Sequence, residues 1–131
     1  MTLTEFVLTW QGKKCDFDGK FGYQCVDLYR QYCKDVLNIP QTPAVEGAKD
    51  IFDKPGSLNV TPDSLTADYS KGDILIWNSS KTNNYGHVAI LVTIYNTKYF
   101  LVLEQDGFKQ DGVKLTMRSR ENLRGCLWKK S

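Results

Sequence analysis

One histidine, four cysteines and a run of closely spaced aspartates carry most of the chemistry in this chain. His87 is the only histidine. It heads the apolar run Gly86-His87-Val88-Ala89-Ile90-Leu91-Val92 and is the one side chain whose ordinary pKa suits acid–base work near neutral pH. A Cys–His pair makes a nucleophile because the imidazole takes the thiol proton. Cys25 stands where a loop rich in Gly and Asp gives way to a helical pattern. A thiol at a helix start lies near the positive end of the dipole, which favours thiolate. The free N–H groups there suit an oxyanion on a carbonyl under attack, and Gln24 adds a side-chain donor. A lone histidine is more often a surface or core residue than a catalyst, so its surroundings decide.

Two carboxylates can reach it. If the chain from Tyr85 to Asp106 is a hairpin turning at Asn96-Thr97, or through a four-residue loop from Tyr95 to Lys98, His87 lies opposite Asp106. Glu104 is then the diagonal neighbour on the same face, because side chains alternate along a strand. An odd-length loop without a bulge would break this register. The plainer reading makes Glu104 and Asp106 polar residues where a strand runs out into Glu104-Gln105-Asp106-Gly107. In the register above, a carboxylate orients the imidazole, the third role in a nucleophile–base–orienter set.

The loop ahead of Cys25 reads Cys15-Asp16-Phe17-Asp18-Gly19-Lys20-Phe21-Gly22-Tyr23-Gln24. Asp16 and Asp27 occupy positions 1 and 12 of a twelve-residue frame with Asp18 between them, a spacing of hard oxygen ligands that suits calcium. It departs from an EF-hand: Lys20 holds position 5, Phe21 replaces the required glycine, and the last ligand is Asp rather than Glu. A polar Gly-rich loop ending in a helix N-terminal carboxylate explains the same residues. A cation would nonetheless serve a purpose, since Asp27 beside Cys25 disfavours thiolate by like charge and a divalent ion would neutralise it.

These residues need elements to hold them. Leu3, Phe6, Val7 and Trp10 predict a helix from Leu3 to about Gln11, and Val26, Tyr29, Cys33, Val36 and Leu37 predict another from Cys25 to Leu37, closed by Pro40. Residues 40–71 hold all four prolines and read as loop with one short helix around Ala44–Phe52. Strands are expected at Ile74–Trp77, His87–Tyr95, Tyr99–Glu104, Val113–Met117 and Gly125–Trp128. Helices followed by a meander make an α+β domain. At 131 residues and 15.0 kDa, residues 1–131 are expected to form one domain with its own core, most simply a monomer. A net charge of +2 is too mild to argue for nucleic acid. No apolar run is long enough to cross a bilayer, so no membrane insertion is expected. The amino terminus lacks the basic and apolar regions of a signal peptide, which points to synthesis in a cytoplasm. Free thiols fit that origin, and the absence of a CxxC leaves zinc-ribbon or thioredoxin chemistry unsupported. Cys33 and Cys126 fall in apolar patterns and read as small buried hydrophobes.

Together these pieces resemble the CHAP family, the cysteine- and histidine-dependent amidohydrolases/peptidases of the papain-like superfamily, and their phage-endolysin members in particular. The resemblance rests on Gly22-Tyr23-Gln24-Cys25-Val26-Asp27-Leu28, Lys71-Gly72-Asp73-Ile74-Leu75-Ile76-Trp77, Gly86-His87-Val88-Ala89-Ile90, then Glu104 and Gln105-Asp106-Gly107, in that order. It implies a papain-like fold, with N-terminal helices packed on an antiparallel β-sheet of about five to six strands. It also implies Cys25 as nucleophile, His87 as base and then acid, and Glu104 as orienter, with Gln24 by the oxyanion hole. Asp106 falls where related enzymes often carry Asn. Asp16, Asp18 and Asp27, with backbone carbonyls of Lys20 and Gly22, resemble the calcium loop of phage lysins.

The activity implied is hydrolysis of an amide in bacterial peptidoglycan, as an endopeptidase or an N-acetylmuramoyl-L-alanine amidase. The expected enzyme is made in the host cytoplasm and acts on the cell wall after release or as a virion component. Nothing in the chain provides the separate wall-binding domain that many lysins carry. The alternatives are a non-catalytic wall-binding module of the same fold, or a papain-like amidase or toxin acting on another amide.

Overall fold

A computed structural model describes residues 1–19, 22 and 24–130. Helix α1 spans Leu3–Trp10 and begins at a reciprocal cap. The Thr2 hydroxyl accepts from the Glu5 N–H at 3.1 Å, and the Glu5 carboxylate accepts from the Thr2 N–H at 2.9 Å. Helix α2 spans Cys25–Tyr32 and continues as a π-helical segment, Cys33–Leu37. Asn38 in the left-handed region, with Pro40 behind it, ends the run. A 3-10 helix at Ala48–Asp53 stands near the short helix expected around Ala44–Phe52.

Six strands follow: β1 Asn59–Pro62, β2 Ile74–Trp77, β3 His87–Ile94, β4 Tyr99–Gln105, β5 Val113–Ser119 and β6 Leu123–Trp128. They form one antiparallel sheet in the order β1-β6-β2-β3-β4-β5. The α+β expectation and the strand number hold. Strand β1 is the correction, since the segment was read as loop. It is a four-residue edge strand ending in proline, with no alternating apolar pattern, and it exists because β6 offers it a partner from Asn59↔Trp128 to Pro62↔Gly125.

Alternation, interrupted by bulges, gives the sheet two apolar faces. Ile74, Ile76, Val88, Ile90 and Leu103 pack against Phe6, Leu28, Tyr29 and Tyr32 of the helices. Leu75, Trp77, Ala89, Leu91, Phe100 and Val102 fill the other side with Tyr69, Leu123 and Cys126. The sheet curls around this second cluster. Trp77 of β2 donates its indole N–H to the Ser119 carbonyl of β5 at 3.0 Å, although two strands separate β2 and β5 in the sheet.

The hairpin carrying His87 takes an unexpected route to the expected register. Its outer pairing is Ile94↔Phe100, leaving a five-residue connection at 95–99, while the inner pairs are Leu91↔Val102 and Ile90↔Leu103. A bulge between Leu91 and Thr93 absorbs the difference. The odd loop and the extra residue cancel, and the His87 end of β3 faces the Glu104 end of β4. Immediately before β3, Gly86 has φ of +73°, and a Cβ there would lie 2.4 Å from the Trp77 carbonyl oxygen. The close approach seats His87 beside Trp77, its ladder partner. Gly86→Ala is therefore expected to destabilise the fold by about 2 kcal/mol or more, from left-handed strain plus the clash. Urea unfolding measures this, and an unchanged midpoint would show that the turn relaxes freely.

Candidate active site

The site lies where the start of α2 meets the paired ends of β3 and β4. Asp27 shapes the helix start: its carboxylate accepts from the Gln24 N–H at 2.9 Å, while its own N–H donates to the Gln24 carbonyl at 3.1 Å. That turn presents Cys25 as the first helical residue. It is the only one of the four cysteines with partial solvent access, and all four are unpaired thiols. Burial, the largest influence on each, pushes the Cys15 and Cys126 thiols up to about 12 and Cys33 up to about 11. Those three remain neutral core residues.

His87 is 7% exposed, and its Nε2 lies 3.0 Å from Oε1 of Glu104, itself 2% exposed. Cys25 is near enough to the imidazole to influence its proton. With Nε2 engaged by the carboxylate, Nδ1 is the nitrogen left to the thiol. Burial is the strongest single influence on His87 and pushes its pKa down, but Cys25 and Glu104 together override it, lifting it to about 9. Burial likewise pushes Glu104 up, and its bonds to His87 and Arg118 overcome this, bringing it down to about 2. The raised histidine contributes stability that is complete below its ordinary 6.5 and lost as pH rises through about 9. The depressed carboxylate contributes stability that is complete above its ordinary 4.5 and lost as pH falls toward about 2.

Two further side chains complete the surroundings, and neither was singled out in the sequence. Trp77 places its ring 5.8 Å from the imidazole, centroid to centroid. Arg118 of β5 donates through Nε to Glu104 Oε1 at 2.5 Å and through Nη2 to Oε2 at 3.4 Å. His87, Trp77, Arg118 and Asp106 share the wall of a cleft of about 450 Å³. Asp106 directs its carboxylate to the Phe108 N–H, 2.8 Å away, capping the turn after β4, and among the described residues it makes no bond to His87. Gln24 packs its side chain over Gly107.

The aspartates converge as the spacing predicted. Asp16, Asp18 and Asp27 each bring a ligand oxygen within 4.8 Å of the others. Burial first, and then the neighbouring Asp18, push Asp27 up to about 6, so this set is costly to keep ionised without a counter-charge. An all-oxygen donor set under that strain fits a hard cation such as calcium. Gly22 lies in the same loop in a left-handed conformation, with φ of +72°. Lys20 lies outside the described residues.

A CHAP domain family model matches residues 14–106, a span that includes Cys25, His87 and Glu104. The chain belongs to the CHAP family. It is 31% identical over 96 residues to Endolysin PlyTW of Staphylococcus phage Twort, a match covering 70% of this chain and 20% of that protein. Among solved structures it superposes on the endolysin LysIME-EF1 with a TM-score of 0.77 at 19% identity, over 97% of this chain and 63% of that one. Ly7917, crystallised with the hydrolyzing product of MDP, gives 0.72 at 18% identity, over 98% and 62%. The structural likenesses establish a shared fold. The chain spans a fifth of the curated relative and under two thirds of the solved ones.

One tie in this CHAP domain holds the loop that leads to Cys25. Gln105 is fully buried; its amide donates to the carbonyls of Cys15 at 2.7 Å and Gln24 at 2.9 Å, and its oxygen accepts from the Cys15 N–H at 2.8 Å. It fastens both ends of the Asp-rich loop to β4, next to Glu104. Gln105→Leu would leave the buried Cys15 N–H and carbonyl without this partner and remove one of the two donors to the Gln24 carbonyl, and the expected loss is about 2–4 kcal/mol. Thermal or urea unfolding measures it; a loss below about 0.5 kcal/mol would mean the loop does not depend on this amide.

Proposed function

We propose that the chain is a cysteine-dependent peptidoglycan hydrolase that cleaves an amide bond of the bacterial cell wall, as an endopeptidase or an N-acetylmuramoyl-L-alanine amidase. The observation that carries this reading is the buried His87–Glu104 pair at 3.0 Å, with Cys25 near the same imidazole. Membership in the CHAP family and similarity to a phage endolysin support the choice of substrate.

In the reaction, the Cys25 proton moves to His87 Nδ1 and the sulfur attacks the amide carbonyl carbon. The helix-start N–H groups and the Gln24 amide face the oxygen that gains charge. The imidazolium returns its proton to the leaving amine as the C–N bond breaks, leaving an acyl thioester on Cys25. Water then gives up a proton to His87 and attacks the thioester, releasing a carboxylate and the thiol. Glu104 holds the ring on Nε2 throughout and remains ionised. Cys25→Ala and His87→Ala are each expected to lower hydrolysis of purified sacculi by at least about 10³-fold while the fold survives. Mass spectrometry of the digest names the bond from its new termini. Full release of new amines by Cys25→Ala would defeat the mechanism and favour a different nucleophile; wall binding without any new termini in the wild type would favour a binding module.

We further propose that Asp16, Asp18 and Asp27 hold a structural calcium ion. A bound cation offsets the mutual repulsion of the three carboxylates and stiffens the loop leading to Cys25. EDTA is expected to lower the melting temperature by several degrees, with recovery on adding calcium and no such response in Asp18→Asn. A melting curve indifferent to EDTA and calcium would remove the cation from the account.

A further inference from the structure

We propose that Arg118 is a positioning residue of this site, fixing the Glu104 carboxylate against His87 and keeping the shared proton on the histidine. This rests on the Cys25–His87 reading of the mechanism and extends it to a residue on β5, the far edge of the sheet.

The argument begins with Glu104. A carboxylate buried to 2% exposure has several acceptor sites to satisfy, and His87 Nε2 serves one of them. With one imidazole as its partner, a carboxylate so buried keeps lone pairs unmatched, can turn on the ring and draws the shared proton toward itself. Arg118 prevents this at the atom concerned. Its Nε reaches the same Oε1 that faces His87 Nε2, at 2.5 Å, while Nη2 faces Oε2 at 3.4 Å. A permanent cation on that oxygen lowers its basicity, so the Nε2 proton stays on the ring and Nδ1 stays open to Cys25.

The guanidinium is itself held in place. Its Cζ lies 5.6 Å over the Trp77 ring, and Trp77 anchors its indole N–H on the carbonyl of Ser119, the residue after Arg118. Trp77 thereby packs against both His87 and Arg118. Asp106 does not duplicate this service, because its carboxylate caps the following turn. The charged or titratable groups around His87 are Cys25 from α2, Glu104 from β4 and Arg118 from β5, with Asp106 and Glu121 on the cleft wall and Lys49 packed behind Gly86.

Arg118 and Glu104 act on His87 with opposite signs, so their removal is distinguishable. Because His87 is the only histidine, its ring resonances in the full-length protein report one titration by NMR. Arg118→Met removes a repelling cation and is expected to raise the His87 titration midpoint by on the order of half a pH unit. Glu104→Gln is expected to lower it. On sacculi, Arg118→Met should lower kcat on the order of 10- to 100-fold, leave KM within about threefold and move the alkaline limb of the profile upward. Arg118→Lys restores the charge without the fork, so it should return the titration to the wild-type midpoint and recover part of kcat.

A wild-type kcat and titration in Arg118→Met would overturn the proposal. So would a loss of kcat that merely tracks a fall in melting temperature with the midpoint unmoved. Cys25→Ala separates the two levels: its full activity would sink the underlying mechanism, whereas its inactivity beside an unaltered Arg118→Met sinks only the role of Arg118.

Discussion

A carboxylate that must stay charged while buried is the constraint around which this domain is arranged. Glu104 is almost wholly removed from water, and such a group keeps its charge only with partners of opposite sign and good hydrogen bonds. The partners come from two other strands: His87 from β3 and Arg118 from β5. Those strands flank β4 in the sheet, and the Trp77–Ser119 bond across the curl holds the Arg118 end of β5 beside Trp77. The electrostatics of the site and the shape of the sheet are thus one arrangement.

Strand β4 organises both sides of the site through consecutive residues. Glu104 points into the curl toward His87, and Gln105, alternating to the opposite face, ties down the backbone of Cys15 and Gln24. One dipeptide therefore holds the imidazole of His87 and anchors the loop that leads to Cys25. Gln105 is polar and fully buried, yet its donors and acceptor are all matched, which makes it a specific tie rather than a defect. On the loop side, the three aspartates concentrate negative charge two residues from the thiol, and the position of Asp27 as both helix cap and member of that cluster links the loop to α2.

Most of the site was legible in the residues. A single histidine leaves one candidate for the base of the proposed mechanism, and a thiol at the start of a helical pattern is visible in Gln24-Cys25-Val26-Asp27. Period-two alternation put Glu104 on the histidine's face, and the contact at 3.0 Å agrees. The route to that register was not legible: a five-residue loop and a bulge offset one another, and neither leaves a mark in the local sequence. Strand β1 was missed for a related reason, since an edge strand of four residues is defined by its neighbour and not by its own pattern.

Local chemistry along the chain determined which groups are reactive, which segments are helix or strand, and which face each side chain occupies. These depend on residue type and on periods of a few residues. Tertiary structure alone decided that Arg118 meets Glu104, that Gln105 rather than a loop residue secures the nucleophile's approach, and that Asp106 turns away into a cap. Those contacts join residues separated by up to 90 positions in sequence, or depend on how far a sheet curls. Curl is set by packing across all strands at once. No short stretch of sequence encodes it, and the partners of a buried charge follow from it.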